Sequence, residues 1–102
     1  MKTSISKINS NKSSAITKEL IVANRNGLHA RPAALFVKTS NRFKSDVWVE
    51  KDGERVNGKS IMGLMMLAAS QGSLLHVTAE GSDAAELMVA LEQLLSTHFG
   101  EE

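Results

Sequence analysis

The chain contains no cysteine. That excludes disulfides and thiolate metal sites, and it agrees with a reducing, cytoplasmic setting. No apolar run approaches the roughly 18 residues of a membrane span, so no membrane insertion is expected. Charge imbalance is also nearly missing: 12 basic and 11 acidic side chains leave a formal net charge of +1. That balance supplies no reason to expect a nucleic-acid partner. What is present is 102 residues, 42% of them hydrophobic. This suits one domain with one modest core and ordinary stability.

The near-neutral sum hides a split. Residues 1–19 hold Lys2, Lys7, Lys12 and Lys18 against Glu19 alone, a net of +3, whereas residues 20–102 carry −2. The opening stretch "MKTSISKINSNKSSAITKE" is rich in Ser, Asn, Lys and Thr. It lacks the continuous apolar segment of a secretory signal and the arginines of a transit peptide. Its composition predicts a flexible tail over residues 1–17, followed by a folded domain over 18–102.

Within the domain, "ELIVAN" at 19–24 reads as a strand that ends in the turn "NRNG". Apolar residues at helical spacing from Ala30 to about Arg42 predict a helix, with Pro32 in its first turn, where a missing N–H does no harm. In "DVWVEKDGERVNG", Val47 and Val49 alternate with Asp46, Trp48 and Glu50. Asp52-Gly53 then signals a hairpin turn and a returning strand. "KSIMGLMMLAAS" places Ile61, Leu64, Met65 and Ala68 at helical spacing, in a helix that Gly63 keeps short. "SLLHVTAEG" alternates again, with Leu75, Val77 and Ala79 on one side. "SDAAELMVALEQLLSTHF" is the clearest helix, with Ser82 or Asp83 as its cap and a stripe at Ala84, Leu87, Met88, Leu91, Leu94 and Leu95. The order β-α-β-β-α-β-α predicts an α+β, open-faced two-layer sandwich. Helices would cover one face of a four-stranded, mainly antiparallel sheet, and the other face would meet water. Trp48 then belongs to the open face or its rim.

His29 is the residue that invites chemistry. In "NGLHARPAAL" it stands where a turn becomes a helix, beside backbone N–H groups without intrahelical partners. Those groups and the helix dipole favour an anion, and Arg31 adds a full positive charge in the same turn. Such surroundings leave a ring nitrogen free to act as a nucleophile and would stabilise a phosphoryl group placed on it. The plainer reading is that a histidine at a turn–helix junction is a polar cap. His76 and His98 have no metal-ligand spacing around them, and no Ser-His-Asp arrangement can be assembled.

"GLHARPAA" at 27–34 resembles the active-site signature of HPr, the histidine-containing phosphocarrier family of the phosphoenolpyruvate-dependent phosphotransferase system. "NGKSIMGLMML" at 57–67 is similar to the second HPr signature, and "QGSLLHVTAEG" at 71–81 to the family's last strand. The resemblance spans about residues 18–102. It implies that His29 accepts a phosphoryl group on Nδ1 from phosphorylated enzyme I and passes it to an EIIA-type domain. Arg31 and the backbone N–H groups of Ala30 and Arg31 would stabilise the group, and Pro32 would fix the first helical turn. It implies a carrier, a substrate of two partners rather than a free-standing catalyst. No cofactor is expected, and the sequence gives little reason to expect a stable oligomer. The basic tail and the absence of tyrosine depart from the usual HPr pattern, and neither touches the motifs.

Ser60 opens the short helix and suits an N-cap. The resemblance adds regulatory phosphorylation there by the HPr kinase/phosphorylase. It also assigns partner docking to the helix that carries Ile61, Met62 and Met65, whose methionines would adapt to unlike partners. Met62 is expected to be partly exposed. The alternative is a regulatory or nitrogen-branch paralogue that acts mainly through phosphorylation-dependent protein binding, in the extreme with a silent His29. The intact "GLHARPAA" counts against that extreme.

Overall fold

Strand β1 (Ala15–Ile21) is the first element of the computed structural model, which describes residues 15–101. Helix α1 (Ala30–Ser40), strands β2 (Asp46–Lys51) and β3 (Glu54–Asn57), helix α2 (Ile61–Met66), strand β4 (Leu74–Glu80) and helix α3 (Ala84–Ser96) follow. The four strands form one sheet in the order β1-β4-β2-β3, and every pairing is antiparallel. With three helices packed over one face, this is the open-faced α+β sandwich that the element order predicts. No helix among the described residues is long and apolar enough to cross a membrane.

The alternation in β2 and β4 decides the two faces. Val47 and Val49, and Leu75, Val77 and Ala79, all point inward and are buried. They meet Ala33, Phe36 and Val37 of α1, Leu64 of α2, and Ala84, Leu87, Met88, Leu91 and Leu95 of α3. The α1 stripe at Ala33, Phe36, Val37 and Ser40 follows the i, i+3, i+4, i+7 spacing of a half-buried helix. Leu94 packs against this core from a partly buried position. On the open face, Thr17 and Thr78 share a hydroxyl hydrogen bond of 2.9 Å across the β1–β4 pair. The Arg55 guanidinium sits 5.0 Å from the centroid of the half-buried Trp48 ring.

Several boundaries differ from expectation. β1 starts at Ala15, so residues 15–17, assigned to the tail, belong to the sheet. Tertiary pairing outweighs their polar composition, because the whole of β4 offers partners from Ala15↔Glu80 to Ile21↔Leu74. The expected tail otherwise lies outside the described residues. Lys18 stands at an inward position of β1 but reaches past the core, and its Nζ lies 3.0 Å from Glu92 Oε2 on α3. The α2 stripe is also corrected. Of Ile61, Leu64, Met65 and Ala68 only Leu64 is buried, and Ala68 lies past the helix with φ +51°. Leu67 and Ala69 supply the missing burial from the segment that follows. Finally, α3 stops at Ser96 rather than running on through Phe99. A 3-10 turn, His98–Gly100, reverses the chain with φ of 57°, 55° and 74° at His98, Phe99 and Gly100. Left-handed φ is costly for a bulky residue, and burial of the Phe99 ring offsets it.

Asp83 occupies the N-cap position of α3 without a side-chain bond to its own helix. Its carboxylate instead ties the segment before β2 to α3. Oδ1 accepts from the Ser45 hydroxyl and from the Ser45 amide at 2.9 Å, and Oδ2 accepts from the Lys44 amide at 2.9 Å. The Asp83 amide in turn donates to Ser45 Oγ at 3.2 Å. The Ser45 hydroxyl first, and then the two backbone donors, hold the Asp83 carboxyl down at about 2, against partial desolvation. An unfolded aspartate titrates near ~3.9, so the folded value is the depressed one. The stabilisation is complete above roughly pH 4 and is lost as pH falls through about 2. An Asp83→Asn variant should therefore unfold at lower urea concentration than the parent at pH 6. That gap should narrow steadily in titrations repeated down to pH 2, and a constant gap would remove this carboxylate from the acid response.

Candidate functional site

The chain leaves β1 still held to the segment before β4: the Val22 amide donates to Ser73 O at 2.9 Å, and the Gly72 amide to Val22 O at 2.7 Å. Asn24 follows, wholly buried at the base of the loop. The Gly27 amide donates to Asn24 O at 3.2 Å, and Asn24 Nδ2 returns a bond of 2.8 Å to Gly27 O. Gly27 has φ +71°, and a Cβ there would lie 2.4 Å from Ala69 O and 2.9 Å from Ser70 Cα. Only glycine permits this backbone-on-backbone approach. One residue on, the Leu28 amide donates to Ala69 O at 2.8 Å while its side chain is buried. The loop is thus pinned to 69–70, and His29 emerges at a fixed height.

His29 is the N-cap of α1 by backbone, with φ −84° and ψ −169°, and its carbonyl accepts the Ala33 amide at 2.9 Å. Its imidazole makes no capping hydrogen bond. The ring therefore does not perform the task that the polar-cap reading assigned to it. Pro32 has no N–H, so the donors of the first turn without a helical partner are those of Ala30 and Arg31. No acidic residue stands in that turn, and the Arg31 side chain is exposed. The start of α1 thus offers two backbone donors and the Arg31 cation to an anion.

The ring's partner comes from the far end of the chain. Nε2 of His29 lies 3.2 Å from Oε2 and 3.3 Å from Oε1 of Glu101. The ring is 42% exposed and the carboxylate 17%. Asn24 Nδ2 also donates to Glu101 Oε1, at 3.0 Å. Desolvation alone would raise the Glu101 carboxyl, but the bonds from Asn24 and His29, with the charges of His29 and Arg31, hold it below the ordinary range. A shallow depression beside His29 is lined by Asn26, Leu28, Met65, Ala68 and Ala69. This places the C-terminal part of α2 next to the histidine.

A family model described as the PTS HPr component phosphorylation site matches residues 16–97. The phosphocarrier protein HPr of Neisseria meningitidis serogroup A is 49% identical over 86 residues, 84% of this chain and 97% of that protein. The HPr-like protein Crh of Bacillus subtilis is 53% identical over 79 residues, 78% of this chain and 89% of that protein. The crystal structure of HPr-C-His from Thermoanaerobacter tengcongensis aligns with a TM-score of 0.82 at 50% identity, covering 85% of this chain and 98% of that one. The chain belongs to the HPr family. Its general role is that of a bacterial phosphotransferase-system phosphocarrier, in which a phosphohistidine serves sugar transport.

In this HPr-family chain the residues singled out from sequence fall in two neighbouring places. His29, Ala30, Arg31 and Pro32 make the start of α1. Ser60 caps α2, accepting from the Gly63 amide at 2.9 Å. Ile61, Met62 and Met65 follow it on a helix packed against α1. Met62 is 75% exposed, more than the partial exposure expected, and Met66, not singled out, is 67% exposed. A six-residue helix with Gly63 inside it has room for one inward side chain, and Leu64 takes it.

Asn24 and Glu101 are the residues that sequence reasoning missed. Asn24 sits in a strand-to-turn stretch where an asparagine is ordinary. Glu101 lies beyond residues 16–97, the part matched to the family. Because Gly27 permits the contact that fixes the His29 loop, a Gly27→Ala variant should keep the sheet yet displace the loop. Amide spectra are expected to move at Leu28, His29 and Ala69 while β2 stays unchanged, and phosphoryl uptake should fall at least about tenfold, the scale at which small misplacements act. Uptake at the parent rate would show that the close approach does not set the site.

Proposed function

We propose that His29 accepts a phosphoryl group on Nδ1 from phosphorylated enzyme I and passes it to an EIIA-type domain. The observation that carries this reading is a half-exposed imidazole, not engaged in capping, at a helix start whose Ala30 and Arg31 amides lack helical partners. Attack by the Nδ1 lone pair forms an N–P bond as the donor's bond to phosphorus breaks. The phosphoryl oxygens then meet those amides, the α1 dipole and the Arg31 guanidinium, all of which favour negative charge. Pro32 stiffens the first turn, so the donors are preorganised. Enzyme I and EIIA dock across the α1 start and α2 in turn. Exposed Ile61, Met62 and Met65 provide apolar, adaptable contact for two unlike partners that must both release. We read the carrier as a cytoplasmic monomer.

Ser60 is the second proposed site, modified by an HPr kinase/phosphorylase. A phosphate there would face the start of α2, which has no acidic residue in its first turn. The 53% identity to a protein named HPr-like Crh keeps a regulatory role, with Ser60 as its main site, as the alternative.

The deciding experiment is intact-mass spectrometry at neutral to alkaline pH with phosphoenolpyruvate and catalytic enzyme I. The parent should gain one acid-labile phosphoryl group and His29→Ala none, with Arg31→Ala slowed on the order of tenfold or more. A parent that takes up nothing from several enzyme I sources would shift the assignment to the Ser60-dependent regulator. Separately, Ser60→Ala removes the α2 cap and should cost about 1 kcal/mol in urea unfolding without preventing phosphorylation of His29.

A further inference from the structure

We propose that Met62, Met65 and Met66 form an oxidation site, at which a hydroperoxide converts exposed thioethers to sulfoxides and so closes the face of α2 beside His29 to partner proteins. The loss of transfer rests on the phosphocarrier reading, in which α2 is the docking helix; the reactivity of the sulfurs does not. The chain has no cysteine and five methionines, so thioethers are its only sulfur groups. Exposure divides the methionines of the described residues. Met62 is 75%, Met66 67% and Met65 42% exposed, whereas Met88 of α3 is 2% exposed. Oxidation follows access to the side chain, so the reactive three all lie on the six-residue α2.

Met62 and Met66, four residues apart, stand on the same side of the helix. Met65 lines the depression beside His29, together with Leu28 and Ala69. The inward position of α2 is held by Leu64, and Leu67 follows it into the core. No sulfur of α2 is therefore buried in the core, and an oxygen added there leaves the packing intact. What changes is the surface. A thioether is apolar and adaptable. A sulfoxide carries an acceptor oxygen, which a docking protein must strip of water without supplying a hydrogen bond in return.

In the reaction a sulfur lone pair attacks one oxygen of hydrogen peroxide. The S–O bond forms as the O–O bond breaks, the proton on the transferred oxygen passes to the departing one, and water leaves. Sulfur loses two electrons and the peroxide gains them. Methionine sulfoxide reductases, one for each epimer at sulfur, reverse the step. A dithiol then supplies the two electrons and ends as a disulfide, with water released. The His29 ring takes no part in either direction, so transfer returns with the thioethers.

Treatment of the full chain with dilute hydrogen peroxide, removed before phosphoenolpyruvate and enzyme I are added, tests this. Peptide mapping by mass should find oxygen on Met62, Met65 and Met66 with Met88 spared; Met1 lies outside the described residues and is read separately. The urea midpoint should stay that of the untreated protein. Phosphoryl uptake below saturation should fall at least about tenfold, through KM, because docking contact is what is lost. It should return after treatment with both reductases. In a variant carrying Met62→Leu, Met65→Leu and Met66→Leu, the treated rate is compared with that of the same variant untreated, and the two should agree. Met88 oxidised as fast as the other three, a urea midpoint that falls with the rate, or an equal loss in the leucine variant would overturn the assignment. So would oxidised parent within about twofold of untreated parent. A parent that takes up nothing before treatment would instead overturn the carrier reading and with it the loss of docking, while the map would still decide the oxidation site.

Discussion

Strand β4 lies between β1 and β2, and its inward side chains Leu75, Val77 and Ala79 have no solvent exposure. Side chains in a strand alternate with a period of two, so a one-residue slip on either side would turn a buried set out to water. Both neighbours are therefore locked in register: Val47 opposite Ala79 and Val49 opposite Val77 on one side, Leu20 opposite Leu75 on the other. The lock reaches beyond the sheet. It brings the end of β1 level with the start of β4, where Val22 bonds Ser73 and Gly72. The loops 22–29 and 67–73 consequently run side by side. Without that adjacency, Gly27 would have no backbone to lie against and Leu28 no Ala69 carbonyl to donate to.

From this frame the site follows with few degrees of freedom. Burial of Leu28 and Pro32 on either side fixes where α1 begins. The chain between them must expose His29 and Arg31, because the inward directions are already filled. Asn24 completes the arrangement. Its buried Nδ2 serves two acceptors, Gly27 O and Glu101 Oε1. Through those two bonds one side chain bears on both the loop and the carboxylate.

The parts of this architecture that were legible in the sequence are those with a local period. Val47 and Val49, Leu75 to Ala79, and the α3 stripe announced themselves by spacing alone. The local motif around His29 announced a helix start with free donors. The parts that were not legible depend on distant pairing. Residues 15–17 look like tail until β4 is laid beside them. The exposure of Ile61, Met65 and Met66 follows from how little of a six-residue helix can face a core already filled by Leu64 and Leu67. Asp83 reads as an ordinary cap, yet it spends its oxygens on Lys44 and Ser45, 38 or 39 residues earlier. The Glu101–His29 contact spans 72 residues and rests on left-handed backbone at His98 and Phe99. No short-range pattern foretells that for a histidine or a phenylalanine.

A carrier must be able to load and to unload, and this constrains how its site can be charged. On the proposed reading, forming the N–P bond brings an already negative phosphoryl group to the ring and makes the ring itself positive. A site with Arg31 and helix donors alone would stabilise the first and repel the second. One with only a carboxylate would do the reverse. The α1 start and Glu101 are both held at one ring, so on the proposed reading the phosphoryl group and the charged ring would each have a complement beside them. Because the carboxylate contact is long and partly exposed, its contribution is modest. That suits a protein whose phosphorylated form must remain a donor: a tighter ion pair would deepen the loaded state and slow release to the acceptor.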